Sequence, residues 1–244
     1  MDSGMYAACA GLIARTQALD LAANNLANTS TTAFRSEQPT FHAALASHGL
    51  RTADSRSAAM NQFSVVGGTR LDLSQGNLES TGNPLDIAIE GSGFLTVKTG
   101  AGTEFTRNGN FHLSPDRSLL TEEGDAVLGE NGPVQLLDGE VSISADGTIS
   151  VGGAVVTKLK IVEFAPGTPI THSGGSYYSA PLAAAAPATK SAVRHGMLEA
   201  SNVNSVQAAV GLIALQRNAE MLNRTMTLFH NEFDRLAAEE LPRV

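Results

Sequence analysis

Four consecutive heptads near the end of the chain constrain its fold more than any other feature. Leu212, Ala219, Met226 and Phe233 share one heptad position, and Leu215, Leu222, Phe229 and Leu236 share a second, with no polar residue at either. Such a repeat aligns all eight side chains in a narrow stripe along an α-helix, the pattern of a helix lying lengthwise on another helix. Arg217, Asn218, Glu220, Arg224, Asn231, Glu232 and Asp234 fall on the other faces. Asn204 or Ser205 can cap the start, with Gln207 placed to reach back.

The other end of the chain carries a second seven-residue repeat. Met5, Leu12, Leu19 and Leu26 recur at that spacing, and Cys9, Thr16 and Ala23 follow four residues behind the first three. Asn24, Asn25, Asn28 and Thr29-Ser30-Thr31-Thr32 then weaken helix propensity, because short polar side chains compete for backbone hydrogen bonds. The helix is expected to end near Asn28. The three asparagines either terminate it or bond backbone and neighbouring helices where several helices converge. Cys9, at a seam position, reads as a small packing residue.

Between these ends the chain changes character. Twenty of the 24 glycines and seven of the nine prolines lie between Gly67 and Gly196. Residues 34–66 predict a mostly extended linker, with Phe41, Ala44 and Leu45 the positions for a short helix. Strand patterns follow at 85–89, 93–97, 111–113, 119–120, 126–128, 134–136, 141–144, 148–151 and 154–164. Asp146-Gly147 marks a hairpin whose two turn residues both need positive φ. The expected fold class is α+β: an all-β central domain inserted between N- and C-terminal coiled-coil-forming helices. The expected divisions are 1–33 for the first helix, 34–66 for the linker, 67–196 for the β domain and 197–244 for the last helix. Two helices cannot cover each other on every side, so apolar surface should remain for other subunits.

Simple counts remove other classes. Sixteen Lys and Arg against 24 Asp and Glu give a net charge of -8, without the basic footprint of a nucleic-acid binder. The strongest apolar run, Val206 to Leu215, is about half the ~20 residues needed to cross a bilayer, so no lipid insertion is expected. Asp2 and Arg15 do not fit a cleavable secretory leader. Cys9 is the sole cysteine. His42, His48, His112, His172, His195 and His230 are scattered without ligand spacing, which predicts no metal site. Gly91-Ser92-Gly93 lacks the third glycine of a dinucleotide loop, since Thr96 stands there. His172-Ser173-Gly174-Gly175 reads as a loop. Asp86, Glu90 and Glu104 read as solvated surface. No catalytic residue and no cofactor is expected.

Four motifs, in order, resemble the rod and hook axial proteins of the bacterial flagellum over essentially the full length. Ala23-Asn24-Asn25-Leu26-Ala27-Asn28 followed by Thr32-Ala33-Phe34-Arg35 is similar to the family's N-terminal signature, with Ala33 in place of its usual glycine. Gly82 to Phe94 is similar to the central motif, and Thr106-Arg107-Asn108-Gly109 to the T-R-[ND]-G element. Gly196 to Asn204, with Ser201, Asn202 and Asn204, is similar to the block before the C-terminal helix. Arg107 is expected in a turn, available for an intersubunit ion pair. Within the family, the Met1-Asp2 start, the length and the short first connection are most like the proximal-rod branch, with the distal-rod branch second.

The resemblance implies a structural role. Members are exported unfolded by the flagellar type III apparatus without a cleaved signal, and they stack with copies of themselves and with other rod proteins. The terminal helices line the tube, the β domain lies outside, and the whole transmits torque around an export channel in the basal body. Two other readings remain open: a periplasmic β-domain binding module with a helical stalk, and a hydrolase whose pocket would need convergent polar groups.

Overall fold

The computed structural model describes the backbone of residues 2–44 and 63–240, and the side chains of residues 11–40, 68–228, 231 and 235. Two compact units divide the chain. One comprises Met1–Ala27, Glu37–Arg70 and Asn204–Val244, and the other Asn28–Ser36 and Leu71–Val203.

The first unit is helical. It holds α1 (Asp2–Ala27) and α2 (Ser205–Glu240), which pack on each other. Asn204 caps α2: its Oδ1 accepts the Gln207 amide at 3.0 Å and its carbonyl accepts the Ala208 amide at 2.9 Å. The predicted linker differs from expectation, because its described parts form paired strands. These are β1 (Glu37–Ala44) and β2 (Phe63–Leu71). A two-stranded sheet is all edge, so Pro39 fits within β1 without breaking a central ladder. The short helix expected through Phe41 and Ala44 is replaced by this strand, while Leu45 lies outside the described residues.

The second unit is β-rich, organised around the strand Phe94–Thr99. One edge of that strand pairs antiparallel with Gly102–Thr106. Its other edge pairs with Ile161–Phe164 at Phe94 and Leu95, and with Ala126–Gly129 at Val97 and Lys98. Both faces are covered, so Phe94, Leu95, Thr96 and Val97 are all buried rather than alternating. Leu95 and Val97 are turned to a different side from Phe94 and Thr96, as strand geometry requires. Leu95 joins the larger core of Ile87, Ile89, Phe111, Val127 and Ile149, while Phe94 joins Phe105, Val162 and Tyr178. The smaller core is aromatic: ring centroids of Phe105 and Phe164 lie 4.9 Å apart at 83°, an edge-to-face contact.

Four sequence expectations change here, the first at His172-Ser173-Gly174, expected in a loop, which lies in the strand Thr171–Gly174. The single strand expected at 154–164 is two, Ala154–Lys158 and Ile161–Phe164, in separate sheets. Between them, Leu159 is buried and bridges to Gly129. Residues 134–136 form no strand beyond an isolated Gln135 bridge to Ser118. In the hairpin of Val141–Ile143 and Thr148–Val151, Gly147 alone of the turn residues has positive φ, at 84°. The Gly147 amide donates to the Ser144 carbonyl at 2.9 Å, and Asp146 serves instead as acceptor for Thr148. That is a longer loop than the two-residue turn expected.

Candidate assembly site

Of the residues on the two predicted seams, Leu12, Leu19 and Leu26 on α1 and Leu212, Leu215, Ala219, Leu222 and Met226 on α2 are half-buried. The side chains of Met5, Phe229, Phe233 and Leu236 lie outside the described residues. Among the described side chains of α1 the most enclosed are Ala14 and Ala18, one turn apart, both 5% exposed. Thr16 and Ala23 face solvent instead, and the Thr16 hydroxyl donates to its own helix at the Leu12 carbonyl, 3.0 Å away. At about 100° per residue Ala14 and Ala18 lie well around α1 from Leu12, so the enclosed face is rotated from the predicted seam, with Leu12, Leu19 and Leu26 at its margin and Thr16 and Ala23 on the far side.

A second apolar face runs along α2. Val206, Val210, Ile213, Met221 and Leu228 are each 51–72% exposed. At about 100° per residue they form a stripe roughly opposite Leu212, Leu215 and Leu222. Arg217 and Arg224 fall within this stripe.

Asn25 answers the question posed by the asparagine cluster. Its Oδ1 accepts the Glu37 amide at 2.9 Å and its Nδ2 donates to the Glu37 carbonyl at 2.8 Å, so it ties β1 to α1 within the helical unit. Asn28 belongs to the β-rich unit, where its side chain accepts the Thr31 hydroxyl at 3.1 Å. Asn24 is exposed at the end of α1. The turn after these residues keeps a left-handed geometry without glycine, since Ala33 has φ 58° and is buried.

The β-rich unit encloses a charged cluster of which the sequence singles out Arg107 but not its carboxylate partner. Glu199, on the strand Met197–Glu199, is 0% exposed. Its Oε1 accepts Arg35 Nη2 at 2.5 Å and the Gly76 amide at 2.7 Å, and its Oε2 faces Arg107 Nη1 at 3.4 Å. Arg107 donates to the Gly91 carbonyl at 2.6 Å and stacks over the Phe94 ring, 4.9 Å from its centroid. Burial, together with the adjacent Arg35, lowers the Arg107 pKa from its usual value, opposed by Glu199. The Tyr178 hydroxyl donates to the Ala33 carbonyl at 3.3 Å, and burial pushes its pKa up to about 12. Arg107 is thus paired inside its own chain rather than offered to another subunit.

Backbone fit explains the glycines around this cluster. A Cβ on Gly76 would meet the Ala200 carbonyl oxygen at 2.0 Å, and one on Gly109 would meet that of Ile87 at 1.8 Å. Asn202 completes the site. Its Oδ1 accepts the Ser36 amide at 2.8 Å, and its Nδ2 donates to the carbonyls of Asp72 at 2.9 Å and Ser74 at 3.2 Å. Ser201 Oγ accepts the Val203 amide at 3.2 Å, holding the approach to α2. Arg35 and Glu199 lie 164 residues apart, and nothing local in the sequence announces their pairing.

The carboxylates read as solvated surface are engaged. Asp86 is buried and accepts Thr81 Oγ1 at 2.6 Å and Asn83 Nδ2 at 2.8 Å. Glu90 pairs with Arg194 at 2.5 Å, and Glu104 with the Ser173 hydroxyl. A cleft of about 360 Å³ in the same unit is lined by Thr96, Lys158, Lys160, Leu182 and Ser191 among others. Its serine is committed to structure, donating to Glu163 at 2.7 Å and accepting the Gly93 amide at 2.8 Å. Among the described residues, no group of three His, Cys, Asp or Glu side chains is placed to hold a metal ion, and no helix is long and apolar enough to cross a membrane.

Comparison with known proteins gives this arrangement a family. Residues 5–35 match the flagella basal body rod protein family, 88–151 the flagellar hook protein FlgE/F/G D1 domain, and 194–237 the flagellar basal body rod FlgEFG protein C-terminal family. The flagellar basal-body rod protein FlgF of Caulobacter vibrioides is 31% identical, covering 97% of this chain and 98% of that protein. FlgF of Salmonella typhimurium is 33% identical over 93% of this chain and 94% of its own. The rod protein FlgG of Bacillus subtilis is 29% identical over 93% and 95% respectively. The matched segments contain most of α1 with Arg35, residues 88–151 of the β-rich unit, and Glu199 with most of α2. With its paired terminal helices, its β-rich unit and its full-length relatives, this chain belongs to the flagellar basal-body rod protein family, as a structural subunit and not an enzyme.

Proposed function

We propose that this chain builds the proximal rod, packing α1 and α2 against the helices of further copies and of other rod proteins to form a tube around the export channel. On this reading it reaches the rod through the flagellar export apparatus, without a cleaved signal, and transmits torque. Within the subunit α1 and α2 pair as a coiled coil, with Leu212, Leu215, Leu222 and Met226 on the inner side of α2. The β-rich unit makes lateral contacts along the shaft. The observation that carries the proposal is the apolar stripe Val206, Val210, Ile213, Met221 and Leu228, left exposed on a helix whose other side is already in contact with α1. A face of this kind on a rod-family helix is suited to a neighbouring helix. Identity to FlgF proteins from two organisms favours the proximal position, and the FlgG likeness makes the distal rod the second reading.

Two substitutions test the two faces. Val210→Glu on the exposed stripe and Leu222→Asp on the inner seam should both leave expression intact. Both should abolish swimming and stop basal-body assembly at the rod in a strain lacking the natural copy. Normal swimming by the Val210→Glu strain contradicts the proposal for the outer face, and normal swimming by the Leu222→Asp strain contradicts the seam.

A further inference from the structure

The last residues before the β-rich unit's core and the first residues after it are stitched together. The Ala33 amide donates to the Glu199 carbonyl at 2.7 Å and the Asn202 amide to the Phe34 carbonyl at 3.2 Å. The Ser36 amide donates to Asn202 Oδ1 at 2.8 Å. Residues 33–36 follow α1 closely in the chain, and residues 199–202 shortly precede α2. A third segment is tied in as well: Asn202 Nδ2 bonds the Asp72 carbonyl, and Glu199 Oε1 bonds the Gly76 amide. Arg35 and Glu199 lie at the centre, both 0% exposed.

The charge balance of this knot is informative. Two guanidinium groups share one carboxylate, and Arg35 Nε, Arg35 Nη1 and Arg107 Nε are buried without a hydrogen-bond partner. Removing ions from water is costly, so a buried cluster with a surplus cation is a poor source of stability compared with apolar packing. It is an effective source of uniqueness. Sliding residues 33–36 by one position would carry the buried Arg35 away from the Glu199 carboxylate and the Ser36 amide away from Asn202. Buried polar groups elsewhere fix register in this way, because only one alignment satisfies them.

We infer that Arg35, Glu199 and Asn202 are positioning residues: they lock the segment leaving α1 to the segment entering α2 in one alignment, as part of the β-rich unit. The lock belongs to the unit that holds its own core, so it is in place before neighbouring copies arrive. Its consequence for assembly rests on the rod-subunit reading.

Amide hydrogen exchange on the dilute full-length chain, paired with swimming assays, tests the inference. Arg35→Met keeps the length and the apolar stem while restoring a one-to-one balance between Arg107 and Glu199. Asn202→Ala removes the amide bridge without stranding a charge. In both variants, exchange at Ala33, Ser36 and Asn202 should accelerate by about tenfold or more, while the strand Phe94–Thr99 changes by less than about threefold. Both strains should swim poorly. Unchanged exchange at those three amides, normal swimming by both strains, or equal acceleration throughout Phe94–Thr99 each overturns the inference. Absence of the unaltered chain from purified basal bodies would instead sink the rod reading, leaving the exchange result to judge the alignment on its own.

Discussion

In the β-rich unit Ile87, Ala88, Ile89, Leu95, Val97, Val127 and Ile149 have no exposed surface, whereas in the helical unit Ala14 and Ala18 are the only described side chains that are buried. The described leucines of both helical seams stop at half-burial, and among the described side chains of α2 five large apolar ones face solvent. Apolar burial is the main favourable term in folding, at roughly 25 cal/mol per Å². One unit therefore collects that stabilisation within a single chain, while the other leaves part of its apolar surface uncovered. Under the proposed function the contrast divides the labour: shape resides in the strands, and adhesion in helices that neighbours complete.

The largest effect that sharpens this contrast lies at Glu199. Glu199→Gln leaves Arg35 and Arg107 buried without a counter-charge, which should cost about 3–5 kcal/mol and lower the denaturant midpoint of the β-rich unit. The same exchange at exposed Glu220 on α2 should shift that midpoint by less than about 0.5 kcal/mol. Equal effects at the two positions would erase the distinction between a closed and an open unit.

Alkaline titration gives the next effect. Burial raises the folded-state pKa of Tyr178 to about 12, against about 10 for an unfolded tyrosine. The folded chain then holds this proton when the unfolded chain has lost it, so stability is fully present below about pH 10 and falls as pH rises toward 12. The loss should reach ~2–3 kcal/mol in the β-rich unit. Tyr177, also raised chiefly by burial, acts with the same sign. Tyr178→Phe should make the alkaline decline shallower, and an unchanged slope measured by chemical denaturation against pH would contradict the burial argument.

The smallest effect concerns Ala33. Its φ of 58° is one that glycine adopts freely and alanine does not. Ala33→Gly should stabilise the β-rich unit by roughly 0.5–1 kcal/mol, net of glycine's greater unfolded-state entropy. A loss of stability would mean that the buried alanine methyl outweighs the backbone strain.

Much of this architecture was legible because its signals are local. The heptads of α2, the asparagine cluster ending α1 and the strand patterns at 85–89 and 93–97 are each written within a few turns or one strand. Position alone offered Asn204 and Ser205 as caps, and the hydrogen bond to Gln207 selects Asn204. What stayed hidden depends on pairing across long separations. Glu199 sits in an ordinary-looking Met-Leu-Glu-Ala run, and only its burial beside Arg35 reveals its role. Asp86 looked solvated because Thr81 and Asn83, its partners, act through turn geometry rather than charge. Ala14 and Ala18 escaped notice because the helix contact selects for smallness there, and a search for large apolar residues passes over it. The break between Lys158 and Ile161 was invisible for a related reason: an apolar run does not say which sheet it joins.

Hydrogen exchange of this chain as a dilute monomer and again within isolated basal bodies is the most direct measurement of the difference between the units. The β-rich strands, Phe94–Thr99 above all, should be strongly protected in both states, while amides of α1 and α2 should be weakly protected in the monomer and strongly protected in the rod. Helices protected in the monomer as firmly as the strands would contradict the claim that neighbouring subunits complete the helical unit.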